Sequence, residues 1–216
     1  MRTRFDRQLT ELHNEMIRMG TMIEESIASA VKALISGDVK LARTIMTKDI
    51  EVDRAQKRIE DICFNLLIQQ QPVARDLRTI TAAMKMVTDM ERIGDHAADI
   101  SEMTIYMGGN DKIANFEHIK KMASETVSML NWSIEAYVGK DKQKAKEIIK
   151  HDDIVDALFD EAKKDIINMI LNNPGEGEQA TDLLMVAKYF ERIGDHATNI
   201  AEWVIYSLKA SENDVD

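Results

Sequence analysis

The sequence predicts an all-α fold: two tandem pseudo-symmetric three-helix bundles, built from six long antiparallel helices. Three observations carry that prediction. The 216-residue chain has only two prolines and nine glycines, and aromatics are 5%, so it lacks the turn density and aromatic runs of a β-sandwich. Hydrophobic residues make up 44% and charged residues 31%, a balance that fills a long core and still covers a polar surface. The heptad Glu91-Arg92-Ile93-Gly94-Asp95-His96-Ala97 returns unchanged at Glu191-Arg192-Ile193-Gly194-Asp195-His196-Ala197, an offset of 100 residues that marks an internal duplication.

The helices follow from their breaks. The first is expected over 3–36 and stops at Ser36-Gly37-Asp38, where Asp38 is placed to cap the next. The second spans 38–70 and ends at Gln71-Pro72, with Pro72 suited to the first turn of the third, 73–107. Gly108-Gly109-Asn110-Asp111 is the strongest break and divides the chain into a first repeat, 1–108, and a second, 112–216. The fourth helix, 112–138, ends at Val138-Gly139-Lys140-Asp141, a copy of the first break. The fifth, 141–172, ends at Asn173-Pro174-Gly175-Glu176-Gly177, a copy of the second, and the sixth spans 177–210. At an offset of 103 the duplication continues outside the heptad, pairing Asp38 with Asp141, Ile45 with Ile148, Asp49 with Asp152, Val52 with Val155 and Asp53 with Asp156. Short loops make consecutive helices antiparallel neighbours, and ~30 residues of helix span ~45 Å, so each bundle is expected to be a rod. Two such rods are expected side by side about a pseudo-two-fold axis.

Composition narrows the function. A formal net charge of −10 argues against nucleic acid, whose binding rests on neutralising phosphates. The single cysteine, Cys63, lies in the apolar run Ile62-Cys63-Phe64 and reads as a small buried hydrophobe in a reducing compartment. No uncharged stretch reaches the ~18 residues of a bilayer span, and no apolar run follows the charged N-terminus as in a signal peptide, so a cytoplasmic protein without membrane insertion is expected. There is no Gly-rich phosphate loop, nucleophile elbow, His-Glu-x-x-His or cysteine pair, and the chain does not read as an enzyme.

The chemistry lies in acids four residues apart. On the third helix one apolar row runs Ala83, Met86, Met90, Ile93, Ala97, Ile100, and a second runs Leu77, Ile80, Met84, Val87 and then Glu91, Gly94, Asp95, Ala98. Glu91 therefore falls in an apolar row, and Asp49 continues the face of Ala42 and Ile45 on the second helix. Four such pairs occur in register: Asp49/Asp53, Glu91/Asp95, Asp152/Asp156 and Glu191/Asp195. Carboxylates one turn apart and partly buried repel, so a Lys or Arg, protonation or a metal ion must offset them. Recurrence in both repeats favours metal, and oxygen ligands suit iron, manganese, magnesium or calcium without excluding zinc. Mid-helix Gly94 and Gly194 each cost ~1 kcal/mol against alanine, which suggests a close approach beside the acids. His96 and His196 lie ~140° round the helix from Glu91 and Glu191, better placed for a surface or interface than for the same ion. Asp99 is replaced by Asn199, so the two sites differ in charge. The rival readings are a di-metal carboxylate oxidase or iron store, which usually carries a Glu-x-x-His missing from these sites, and a metal-free helical scaffold.

The run Gln70-Gln71-Pro72-Val73-Ala74-Arg75-Asp76-Leu77-Arg78, together with both copies of Glu-Arg-Ile-Gly-Asp-His, closely resembles the PhoU family of phosphate-uptake regulators. The resemblance covers nearly the whole chain. It implies multinuclear iron or zinc clusters on the bundle surfaces, held by Asp49, Asp53, Glu91 and Asp95 and by Asp152, Asp156, Glu191 and Asp195. It also implies a negative regulator of phosphate uptake and of phosphate-starvation (Pho regulon) signalling. Such a regulator acts with the ATPase subunit of a phosphate ABC transporter and with a sensor histidine kinase, and homodimerisation is expected. The second repeat lacks the Arg-Asp-Leu-Arg run, so a role for Arg75 or Arg78 would belong to the first half alone.

Overall fold

The structure, a computed structural model, describes residues 2–70, 72, 74–108 and 116–209. Six α-helices account for nearly all of it: α1 Arg2–Ser36, α2 Val39–Gln70, α3 Ala74–Tyr106, α4 Glu117–Gly139, α5 Lys142–Asn172 and α6 Gly177–Leu208, with one 3-10 turn, Pro174–Glu176, ahead of α6. The described residues contain no strand. Gln71, Val73, the Gly109-Asn110-Asp111 part of the central break, the expected helix starts at 73 and 112 and the helix end at 210 lie outside the described residues.

The α1–α2 and α4–α5 turns show how sequence sets the path. Gly37 adopts the left-handed region at φ 62° and Lys140 does so at φ 52°. The following N–H then reaches back across the helix end, Asp38 N to Ala33 O and Asp141 N to Ala136 O, each 2.9 Å. The same two aspartates cap the next helix. Asp38 Oδ1 accepts from Lys40 N and Leu41 N at 3.0 Å, and Asp141 Oδ1 accepts from Gln143 N and Lys144 N at 2.9 Å. One residue thus ends one helix and starts the next, which folds them into an antiparallel pair. The first break behaves as expected. In the second the left-handed residue is Lys140, while Gly139 stays within the helix end. Pro72 stands ahead of α3 rather than within its first turn.

Helices α1–α3 pack on one another, as do α4–α6, and the two bundles join along α3 against α6 and α1 against α4. A Cβ at Gly20 of α1 would stand 3.1 Å from Ile134 Cγ2 of α4, so α1 and α4 meet closely. Both apolar rows of α3 are needed because this helix is covered on two sides: Ala83, Met86, Met90, Ile93, Ala97 and Ile100 are all buried, as are Ile80 and Val87. In α6 the matching residues Val186, Ala187, Phe190, Ile193, Ala197 and Ile200 are buried too. The buried side chains form one continuous core drawn from all the helices, with Met16, Met19, Met86, Met90, Met122 and Met129 as fill and Cys63 fully enclosed. Leu77, expected in an apolar row, is instead 45% exposed near the start of α3.

Candidate metal centre

The acids sit in the two outer grooves of the molecule, α2 against α3 and α5 against α6. Val52 and Val155 are buried beside them, and the helices approach closely there because α3 and α6 carry glycine. A Cβ on Gly94 would lie 3.0 Å from Val52 Cγ1 and 3.6 Å from Asp49 Oδ1. On Gly194 it would lie 3.1 Å from Asp152 Oδ1 and 3.5 Å from Val155 Cγ1. The close approach suggested by the two glycines is therefore that of a neighbouring helix, with a carboxylate laid over the bare backbone.

In the α2/α3 groove Asp49, Asp53, Glu91 and Asp95 are all half-buried. Asp49, Asp53 and Asp95 each offer a carboxylate oxygen, and these atoms lie within 4.8 Å of one another, a spacing that one cation can bridge. Burial, with the charges of Asp95, Asp53 and Asp99 beside it, pushes the Asp49 carboxyl up to about 6. Burial and Asp95 likewise raise Glu91. Burial raises Asp95 against the pull of Arg92. Arg92 offsets part of this charge, its Nη1 donating to Asp95 Oδ2 at 3.1 Å and its Nε standing 3.6 Å from Glu91 Oε2. It is 56% exposed, so water screens the pairing. The surplus of negative charge remains.

The α5/α6 groove holds the same residue types in a looser arrangement. Asp152 and Glu191 are half-buried, whereas Asp156 and Asp195 are exposed. Burial, then Asp195, Asp156 and Glu191, pushes Asp152 up to about 6, and burial with Glu191 raises Asp195. Here a lysine answers the charge: Lys188 Nζ is 2.6 Å from Glu191 Oε1 and 2.5 Å from Oε2. Among the described residues only the α2/α3 acids converge as a three-oxygen cluster. Nothing in the motif Glu-x-x-x-Asp itself reveals the lysine, but comparing the repeats does, since Lys188 stands where the first copy has Thr88.

The histidines lie between the bundles, with His196 next in sequence to Asp195 of the α5/α6 groove. His96 is 7% exposed, bonded through Nδ1 to Asp99 Oδ2 at 3.0 Å, and it stacks on Tyr189 with ring centroids 5.5 Å apart. His196 bonds through Nδ1 to Asp89 Oδ1 at 2.9 Å, and Asn199 donates to the same oxygen at 3.0 Å. The face of α3 that reads as polar, with Asp89, His96 and Asp99, is thus a contact surface for α6. A cleft of about 550 Å³ opens there, lined by Arg92, Arg192, His96, His196, Asp152 and Asp195 among others.

Comparison with known proteins agrees with this architecture. A family model described as the PhoU domain matches residues 16–104 and 119–204, once per bundle. A phosphate-specific transport system accessory protein PhoU homolog from Clostridium acetobutylicum is 38% identical over 98% of this chain and 97% of its own. The protein of the same name from Rhizobium meliloti is 31% identical over 96% of this chain and 88% of its own. The crystal structure of PhoU from Pseudomonas aeruginosa superposes with a TM-score of 0.89 at 28% identity, covering 95% of this chain and 99% of that one. The phosphate transport system regulatory protein PhoU from Streptococcus pneumoniae gives 0.86 at 28% identity, covering 98% and 99%.

Proposed function

Because the chain belongs to the PhoU family over almost its whole length, we propose that it is a negative regulator of phosphate uptake and of phosphate-starvation signalling. It works as a helical adaptor in the cytoplasm, docking on the ATPase subunit of a phosphate ABC transporter and on a sensor histidine kinase when phosphate is ample, with a homodimer as its assembled form. The observation that carries this reading is the similarity to phosphate-specific transport system accessory proteins across both bundles.

The surface supports an adaptor. Phe64 and Ile68 near the end of α2 are 50% and 76% exposed, and their counterparts Ile167 and Leu171 on α5 are 49% and 72% exposed. Apolar side chains held outward at matching places in both repeats are suited to a protein partner, because burying them against one releases water that the free protein must order. No helix among the described residues is long and apolar enough to cross a membrane. The repeats themselves, 1–108 and 112–216, are read as two copies of one unit.

Metal binding belongs to the same proposal. Asp49, Asp53, Glu91 and Asp95 form one site and Asp152, Asp156, Glu191 and Asp195 the other, with iron or zinc as the first candidates and manganese, magnesium or calcium after them. The carboxyl oxygens suit a hard or borderline cation, and Asp49 and Asp152, pushed up to about 6 by burial and then by neighbouring carboxylates, would be held ionised by one. A bound ion would neutralise the excess charge and tie α2 to α3 or α5 to α6.

Deleting the gene tests the regulatory reading: phosphate-starvation genes should then stay on in phosphate-rich medium, and normal repression refutes it. Replacing Phe64 and Ile68 by glutamate should weaken capture of the transporter ATPase subunit without changing helix content. Elemental analysis of untagged protein tests the metal. The Glu91→Gln, Glu191→Gln double variant should lose metal relative to wild type.

A further inference from the structure

The two acidic grooves come from duplicated sequence but differ in one built feature. In α3, Thr88 stands one turn ahead of Glu91, and its hydroxyl donates to Met84 O at 3.2 Å, turning back onto its own helix. In α6 the matching residue is Lys188, whose ammonium lies within 2.6 Å of both oxygens of Glu191. The lysine also has a prepared seat. Its Nζ is 5.4 Å from the centroid of the Phe159 ring on α5, at a position where α2 carries Gln56. Two departures from the first repeat, on two different helices, therefore meet at one ammonium. An aromatic face attracts a cation. The Lys188 side chain is 39% exposed and Lys163 Nζ shares the ring at 5.5 Å, but Lys188 alone of the two also reaches Glu191, so its ammonium is drawn over the groove. Arg92 does not do the same in the first groove. It is more than half exposed, brings Nη1 within 3.1 Å of one oxygen of Asp95, and reaches Glu91 at 3.6 Å.

We propose that Lys188 is a resident counter-cation that occupies the α5/α6 groove in place of a metal ion, making the two sites unequal: metal enters the α2/α3 groove first and the α5/α6 groove only by displacing the ammonium. This rests on the metal reading given above. An ammonium on both oxygens of Glu191 removes a bidentate ligand and adds a positive charge within a few ångströms of an arriving cation. Both effects lower affinity at that groove and leave the other untouched. The looser second site, with Asp156 and Asp195 exposed, matches a cluster gathered about a lysine rather than an ion.

The test is calorimetric titration of the chelator-stripped full chain with zinc chloride. Wild type should show two classes of site at least tenfold apart in affinity, the tighter lost in Glu91→Gln and the weaker in Glu191→Gln. Lys188→Thr, which restores the residue of the first repeat, should tighten the weaker class at least tenfold. Lys188→Arg should leave it weak, since charge and not bulk is the obstacle. A thermal-shift readout runs alongside: added zinc should raise the melting temperature of Lys188→Thr more than that of wild type. Should Lys188→Thr fail to fold, Lys188→Gln takes its place. Equal affinities in wild type, or a weaker class unmoved by removing the lysine charge, overturn the proposal while leaving metal binding intact. Zinc uptake by the Glu91→Gln, Glu191→Gln double variant equal to that of wild type overturns both.

Discussion

Asp49 and Asp152 occupy the same place in the two repeats, each laid against the bare backbone of a glycine on the facing helix and each held up at about 6 rather than 3.8. A carboxyl whose folded value lies above its unfolded one binds more protons in the folded state, so its ionisation opposes folding. That penalty is absent below 3.8 and complete above about 6. In the presence of a chelator the protein should therefore lose stability as pH rises from 4 to about 6 through these two groups, and the Asp49→Asn, Asp152→Asn variant should lose less across that window. Urea melts at pH 4.5 and 7 measure the difference, and an identical pH slope in both proteins would remove these carboxyls as its source. Metal reverses the sign. A divalent ion competes with those protons, so its affinity should climb over the same window. The positions of these acids were legible in the sequence because the repeat kept them in register beside apolar residues. Their inequality was less so. Exposure of Asp156 and Asp195, and the pairing of Lys188 with Glu191, depend on which side chains crowd the α5/α6 groove, and helical periodicity records direction but not crowding.

Helix pairs are set by their turns and by their closest contacts, and the two repeats offer internal controls for both. Lys140 pays a steric cost of about 1–2 kcal/mol in the left-handed region that Gly37 escapes at the equivalent turn. Lys140→Gly should then stabilise the protein by about 0.5–1 kcal/mol after the larger chain entropy of glycine is counted, a gain measured by urea denaturation. The mid-helix glycines should respond differently from each other. Alanine gains about 1 kcal/mol of helix propensity at either. At Gly94 the new methyl meets Cγ1 of buried, β-branched Val52 at 3.0 Å, which cannot rotate away, and overpacking of about 1–3 kcal/mol outweighs the gain. At Gly194 the first contact is Asp152 Oδ1 at 3.1 Å, a side-chain end that can swing outward. Gly94→Ala should therefore lower the melting temperature and Gly194→Ala leave it unchanged or higher; the reverse order would mean the α5/α6 groove is the stiffer one. Helix number, antiparallel order and the capping aspartates could all be read from breaks and duplication. The left-handed residue of the second turn follows from the same alignment: the offset of 103 that pairs Asp38 with Asp141 sets Lys140 opposite Gly37, and the turn counts back from the cap Asp141 whichever residue stands there. What the pattern misjudged was local: Pro72 precedes its helix, a ring without an N–H suiting the approach as well as the first turn.

The two bundles behave as one body if the surface between α3 and α6 is part of the core, and the polar residues there decide the question. Asp89 of α3 is 14% exposed and accepts from both His196 and Asn199 of α6. Its counterpart, Tyr189, instead stacks on His96, whose imidazole burial holds below its usual value despite Asp99. The duplicated histidines stand 5.7 Å apart, so each bundle supplies the partner the other needs, an exchange that sequence positions 89 and 189 show only once the bundles are laid together. Around this network the apolar core runs unbroken through both bundles. Replacing Asp89 by alanine leaves two donors without an acceptor in a partly buried setting, at a cost of about 1–3 kcal/mol. In a chain of this length each kcal/mol lowers the melting temperature by about 2–4 °C. If the bundles unfold together, calorimetry of Asp89→Ala should show one transition moved down as a whole. If they fold independently and merely dock, the contact contributes little to either, and the variant should show two transitions close to those of the separate bundles. A single displaced peak would establish that an ion bound in one outer groove stabilises the other bundle as well, since both would share one unfolding equilibrium.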